Sequence, residues 1–320
     1  MRVEHPLTRK CGPRFPLPPL REFSINFSNL CYSAEPALTC IGMPDTGKST
    51  AFLFIKEHII KSKKAAVYHA VMAQDDGTSR QLARELVSSE AGLIQFNITS
   101  DEALVRRAQA DCDSLGVGRV IILIDEAQLL NKRQLEYLRG VMQKFSALDL
   151  GVFFALFAQP EILAIPKTFK ERGDASLVNR FMSRQHRFRG LRRSEFKVFL
   201  ECLDSTRWPE SGPTYTEHFA RSFWAAGGRM LQLDEYFQNS FTALAQKAGR
   251  DLDDIPTKYI ASASKYMLDA ISRQAPSPVQ LPGLVDHAAR ASGVVTAWEF
   301  LGDLETDMRN RAPRPKKSRV

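Results

Sequence analysis

Between residues 37 and 158 the chain alternates short apolar runs with longer amphipathic ones. Residues 37–41, 65–71, 120–124 and 152–158 are nearly continuous apolar stretches, the pattern of strands covered on both faces in a parallel sheet. Residues 185–189 alternate instead, with His186 and Phe188 on one side and Gln185, Arg187 and Arg189 on the other, which predicts a short edge strand. The intervening segments have helical spacing: 51–60; 79–89 with Leu82, Leu86 and Val87 on one face; 101–114 on Leu104, Val105, Ala108 and Cys112; and 133–148 on Leu135, Leu138, Val141, Met142 and Phe145. Strands alternating with helices predict an α/β domain, a doubly wound parallel sheet flanked by helices with ligands at the carboxyl ends of the strands.

Past residue 191 the strand pattern stops. Residues 194–205, 216–226, 229–248 and 256–273 read as helices, with Phe196, Phe199, Leu200 and Leu203 in register, and imply a small helical domain. The two ends differ from the middle. Residues 1–34 carry Pro6, Pro13, Pro16, Pro18 and Pro19 among Arg2, Arg9, Lys10, Arg14 and Arg21, and read as an irregular basic arm. Pro276, Pro278 and Pro282 mark a linker, 294–308 is weakly amphipathic, and 309–320 has the composition of a disordered basic tail. The expected organisation is therefore an arm at 1–34, an α/β domain at 35–190, a helical domain at 191–275 and an extension with its tail at 276–320.

Composition narrows the class. A length of 320 residues permits about two domains. No apolar run is long enough for a membrane span, and the N-terminal segment lacks the apolar core of a secretory signal. Cys11, Cys31, Cys40, Cys112 and Cys202 are widely spaced, so neither a zinc site nor a disulfide framework is indicated, and a cytoplasmic location is expected. The net charge of +8 is compatible with a polyanionic partner.

Chemistry enters at Gly42-Met43-Pro44-Asp45-Thr46-Gly47-Lys48-Ser49-Thr50, which reads G-x-x-x-x-G-K-S-T between the first strand and its helix. Glycines let the backbone turn its N–H groups towards an anion, and the helix adds the positive end of its dipole. In this pattern Lys48 reaches the β- and γ-phosphates of a nucleoside triphosphate, and the Ser49 hydroxyl goes to Mg. After the third strand stands Asp125-Glu126-Ala127-Gln128. An acidic residue at the end of a buried strand is the other half of a P-loop nucleotide site: Asp125 is the expected Mg ligand, and the neighbouring Glu126 the group that polarises an attacking water.

With these motifs the chain resembles the AAA+ ATPases, and within them the TnsC/TniB/MuB group of transposition regulators. The resemblance spans about residues 35–245. It is carried by the two motifs above, by Phe153-Phe154-Ala155-Leu156-Phe157-Ala158-Gln159-Pro160-Glu161, by Leu177-Val178-Asn179-Arg180-Phe181, and by Gly227-Gly228-Arg229. It implies an AAA+ P-loop NTPase fold in which the helical domain is a lid. Gln159 matches the sensor-1 region, although Ala158 stands where the family has glycine. Arg180 matches the arginine finger inserted into a neighbouring subunit's site, with Arg184 as its rival, and Arg229 matches sensor 2. The resemblance further implies a homo-oligomeric ring or filament assembled by ATP on duplex DNA, bridging a DDE transposase (TnsB-like) and a target-selector protein (TniQ/TnsD-like). DNA contacts of that kind are to phosphates, and Arg80, Arg106, Arg107, Lys132 and Arg133 are the candidate residues, a solvated charged face being the alternative for each.

Other P-loop classes fit less well. A DExx-box helicase would need a second core, and a small-molecule kinase would not need Glu126. An origin-recognition or loader ATPase shares every motif but normally adds a winged-helix domain, and residues 250–320 show no strand pair for a wing. A secretion-type ATPase of the ExeA kind would carry a membrane segment or a cell-wall-binding domain.

Overall fold

The computed structural model describes residues 5–8, 14–73, 77–88, 100–165, 174–250, 254–273 and 276–299. The chain divides into two compact units, one spanning Pro18–Arg189 and the other combining Met1–Leu17 with Gly190–Val320.

The first unit is built on strands β1 (Ala37–Ile41), β2 (Ala66–Val71), β3 (Arg119–Asp125), β4 (Gly151–Ala158) and β5 (Gln185–Arg187), in the spatial order β2-β3-β4-β1-β5 with every pairing parallel. Its helices are α1 (Pro18–Cys31), α2 (Lys48–Ser62), α3 (Ser79–Ser88), α4 (Ser100–Leu115), α5 (Lys132–Ala147) and α6 (Ala175–Met182). Strand side chains alternate between two cores because the pleat has period two. Leu38, Cys40, Ile121, Leu123, Phe153, Ala155 and Phe157 pack with α1 and α2 on one face. Ile122, Ile124, Phe154, Leu156 and Ala158 pack with α3, α4, α5 and α6 on the other. The result is a three-layer α/β/α unit. Alternation along 185–189 is as the sequence indicates, with Phe188 buried on the α1 side.

The arm expected at 1–34 is corrected by α1. Its prolines do not block the helix, because Pro18 and Pro19 occupy the first turn, where the missing N–H has no intrahelical acceptor to lose. Leu20, Phe23, Phe27 and Cys31, spaced three and four apart, form the buried stripe. Phe23 meets Phe157 and Phe188 edge-on at ring-centroid distances of 5.4 and 5.9 Å, and Phe27 meets Phe153 at 5.6 Å. Glu22 pairs with Arg189, and Asn26 lies 3.1 Å from the ring of His186, so α1 also fastens the edge strand.

The second unit is helical: α7 (Phe196–Ser205), α8 (Tyr215–Phe219), α9 (Arg221–Ala225), α10 (Asp234–Lys247), α11 (Thr257–Arg273) and α12 (Leu281–Ala291). The helix expected at 216–226 is two helices, broken where Ala220 leaves helical geometry at φ −135° and ψ 55°. Asp204 is the polar pin of this unit. Its carboxylate accepts the Thr216 hydroxyl at 2.6 Å and the N–H groups of Met230 and Leu231 at 3.0 and 2.9 Å. Two further expectations change. Leu7, Phe15 and Leu17 belong to this unit's core, and so do Val285, Ala288, Ala289, Val294 and Trp298. The prolines at 276–282 thus introduce a packed helix, with Pro282 in its first turn, rather than a linker to an extension. The tail at 309–320 lies outside the described residues.

Phe23 is fully buried while Ile25, two positions along the same helix, is 63% exposed. Phe23→Ala is expected to cost about 3–5 kcal/mol, and Ile25→Ala less than about 0.5 kcal/mol. Urea unfolding measures both, and equal small effects would mean that α1 is not part of the core.

Candidate nucleotide site

The loop after β1 is fixed from both sides. Phe188 donates its N–H to the Ile41 carbonyl at 2.7 Å, and Gly42 donates to the Ala158 carbonyl at 3.2 Å. Gly42 has to be glycine, since a Cβ there would run into the carbonyl oxygen of Phe188. Gly47 sits at φ 111°, a conformation that side chains resist, and Asp45 at φ 63° occupies the left-handed region that aspartate tolerates. The Thr46 hydroxyl donates to the Met43 carbonyl at 2.8 Å and closes the turn, while Pro44 and Asp45 stay exposed. Helix α2 begins at Lys48 and its first intrahelical bond runs from the Ala51 N–H to the Gly47 carbonyl, so the N–H groups of Lys48, Ser49 and Thr50 have no intrahelical acceptor. Lys48 Nζ donates to the carbonyls of Gly42 and Met43 at 2.6 and 2.8 Å, which lays the ammonium along the loop.

Parallel register brings the acidic pair to the same end of the sheet. Ile41 pairs with Ala158, Ile124 with Leu156, and Asp125 ends β3 opposite Val71. Asp125 is buried and accepts the Glu126 N–H at 3.0 Å. Burial pushes its carboxyl above the usual range. Hydrogen bonds from the Glu126 N–H and the Ser49 hydroxyl and the charge of Lys48 oppose that shift, while the charge of Glu126 adds to it. Burial likewise lowers Lys48, against the pull of Cys40, Glu126, Asp125 and Glu161. A glycine cradle, an ammonium, a hydroxyl and a buried carboxylate are the donor set that suits a nucleoside triphosphate with Mg: Lys48 and the loop N–H groups fit the phosphates, Ser49 and Asp125 the metal.

Glu126 stands in the left-handed region at φ 53° and ψ 38°. Its Oε2 accepts two N–H bonds, from Gln128 Nε2 at 2.6 Å and from Gln159 Nε2 at 3.1 Å. Gln128 Oε1 in turn accepts the backbone N–H of Gln159 at 3.0 Å. Sequence reasoning found Glu126 and Gln159 but gave Gln128 no role. Its signal was only its place in the D-E-A-Q run.

The arginines are dispersed. Arg184 donates Nε to Glu35 at 2.7 Å and pairs with it, and this hydrogen bond holds the Glu35 carboxyl below the usual carboxylate range. Arg180 is exposed on the last turn of α6, with Nη1 3.7 Å from Met142 Sδ and no carboxylate partner among the described residues. Arg229 belongs to the helical unit, where its guanidinium lies 3.4 Å from the centroid of the Trp224 ring and donates to the carbonyls of Gly228 and Trp224 at 2.7 and 3.2 Å. Of the candidate DNA residues, Arg107 is bound to Asp111 at 3.1 Å and Lys132 to Asp174 at 2.6 Å. Arg80, Arg106 and Arg133 are exposed on α3, α4 and α5, three helices of one layer.

Residues 32–165 match the family described as AAA domain. No curated protein sequence matches the chain. Among solved structures, the ORC2 protein of Aeropyrum pernix, in ADPNP-ADP complexes, is similar at a TM-score of 0.53 with 13% identity, covering 85% of this chain and 66% of that one. CDC6P from Pyrobaculum aerophilum gives a TM-score of 0.43 with 14% identity, over 95% and 90% of the two chains. The fold is that of an AAA+ P-loop NTPase, a five-stranded parallel sheet flanked by helices with a helical C-terminal region.

A buried carboxyl whose pKa is raised on folding binds more protons folded than unfolded, so its contribution to stability falls as pH rises from its ordinary value through the raised one. Asp125→Asn is therefore expected to melt higher than wild type at pH 7 without nucleotide or Mg, and the difference should shrink below the ordinary aspartate range. Thermal melts across pH measure this. A lower melting temperature for the variant at pH 7 would contradict it.

Proposed function

We propose that this protein hydrolyses ATP as a homo-oligomer acting on DNA, an AAA+ ATPase of the initiator or loader type. The observation that supports it is the meeting of Lys48, Ser49, Asp125, Glu126 and Gln159 at the carboxyl ends of β1, β3 and β4. In this reading Lys48 and the loop N–H groups hold the phosphates, and Ser49 and Asp125 hold Mg, which neutralises charge on the transferred group. Glu126 takes the proton of the attacking water, and Gln159 orients the same region from the end of β4. Arg180, exposed and without a carboxylate partner among the described residues, suits the finger offered to a neighbouring subunit better than Arg184, which Glu35 already holds. Arg229, in the Gly227-Gly228-Arg229 motif, is sensor 2 in this reading. The net charge of +8 and the exposed Arg80, Arg106 and Arg133 support phosphate contacts to DNA.

A narrower reading is a TnsC-like transposition regulator that forms a ring or filament on target DNA and bridges a transposase to a target-selector protein. It rests on the sequence motifs that carry the resemblance, at 42–50, 122–128, 153–161, 177–181 and 227–229. Micrographs with duplex DNA and a non-hydrolysable ATP analogue separate the two, since filaments or closed rings on DNA of arbitrary sequence support the regulator.

Purified protein is expected to hydrolyse ATP, faster with duplex DNA, and DNA binding should weaken steeply with salt. Lys48→Ala should lose nucleotide binding. Glu126→Gln should bind ATP but lose about 10²–10⁴-fold in turnover. Failure of the wild type to hydrolyse ATP in any assembly state would refute the reading.

A finger acting between subunits has its own test. Arg180→Ala and Glu126→Gln should each be inactive alone, yet a mixture should recover activity, because an Arg180→Ala subunit keeps Glu126 and receives Arg180 from its neighbour. Arg184→Ala should stay active. Recovery absent in the mixture, with both variants still assembling, would mean that Arg180 is not supplied across subunits.

A further inference from the structure

P-loop hydrolysis does not in itself require a residue at position 128, yet Gln128 has both ends of its amide committed to the site. Only its NH₂ can donate to a carboxylate, and only its oxygen can accept an N–H. The two bonds at 2.6 and 3.0 Å therefore fix the amide one way round. Together with the 3.1 Å bond from Gln159 Nε2 they close a ring through Glu126, Gln128 and Gln159. The ring joins the turn after β3 to the residue after β4 by side chains, beyond the last backbone pair of the two strands, Ile124 with Leu156. Within it, Glu126 Oε2 receives both donors, which leaves Oε1 as the oxygen able to take up a proton.

We propose that Gln128 is a positioning residue for hydrolysis: it bolts Oε2 of Glu126 to the end of β4 and so sets which carboxylate oxygen acts as base. This rests on the reading of the site as an ATPase. A glutamine that merely filled a surface turn would need neither bond. Its neighbour Ala127 is buried and Leu129 packs against the core, so the 3-10 turn Ala127–Leu129 is anchored without it. Loss of Gln128 would leave Glu126 with the single bond from Gln159, and a base displaced by about an ångström loses up to about 100-fold in rate.

The test uses the full chain with two variants of unchanged length, Gln128→Met, which removes both bonds, and Gln128→Glu, which sets a second carboxylate against Glu126. Both are expected to lower kcat about 10- to 100-fold, with the Kd for a fluorescent ATP analogue and the melting temperature close to wild type. In a cycle with Gln159→Met, the double variant should be far less impaired than the product of the single effects. Unchanged kcat in both Gln128 variants would overturn the proposal. So would a loss of nucleotide affinity or of melting temperature that matched the loss of rate, which would make Gln128 a structural residue. Absence of hydrolysis by the wild type would instead sink the ATPase reading, and this inference with it.

Discussion

The site depends on register. Five parallel pairs between β1 and β4 and six between β3 and β4 bring the carboxyl ends of three strands level, although 84 positions separate Ile41 from Asp125. A slip of one residue would turn every strand side chain to the other face, and here both faces are buried, by α1 and α2 on one side and by α3 to α6 on the other. Neither alternative register can therefore keep its aromatic contacts. The hydrophobic packing that makes the sheet is also what places a carboxylate opposite an ammonium.

Much of this was legible locally. Runs such as Val120–Ile124 announce a strand buried on both faces, and G-x-x-x-x-G-K-S-T is a loop whose residue types follow from the backbone it must adopt. The parts that were hard to read are those decided by distant partners. Gly42 is excluded from bearing a side chain by Phe188, and nothing in the loop's own sequence names that neighbour. Gln128 finds its acceptors at positions 126 and 159, and Asp204 finds its donors at 216, 230 and 231.

The ends of the chain show a different failure. Proline density implied irregular structure, but the cost of proline falls only where an N–H is missed or a preceding carbonyl is struck, and neither occurs in a first turn. Pro18, Pro19 and Pro282 all lie there. Counting prolines without asking where each falls relative to an apolar stripe turned two packed helices, α1 and α12, into an arm and a linker. In α1 the stripe Leu20, Phe23, Phe27 and Cys31 was present in the sequence throughout.

Backbone strain separates scaffold from chemistry. Among the described residues four that are not glycine have positive φ: Asp45, Lys63, Glu126 and Asp149. Lys63 ends α2 and donates its N–H to Ile59, and Asp149 follows the end of α5, donating to Ser146, so both fall under the ordinary chemistry of helix ends. Asp45 and Glu126 have no such excuse. One shapes the phosphate loop, in a conformation that aspartate tolerates, and the other is the acidic residue after β3, whose conformation costs about 1–2 kcal/mol. Strain of this size persists only where surrounding structure over-determines it. For Glu126 that structure is visible: the Asp125 carboxylate holds its N–H, and two glutamines hold its Oε2. Three hydrogen bonds beside a buried carboxylate thus hold Glu126 against its backbone preference, and so supply the fixed carboxylate that the proposed hydrolysis would need.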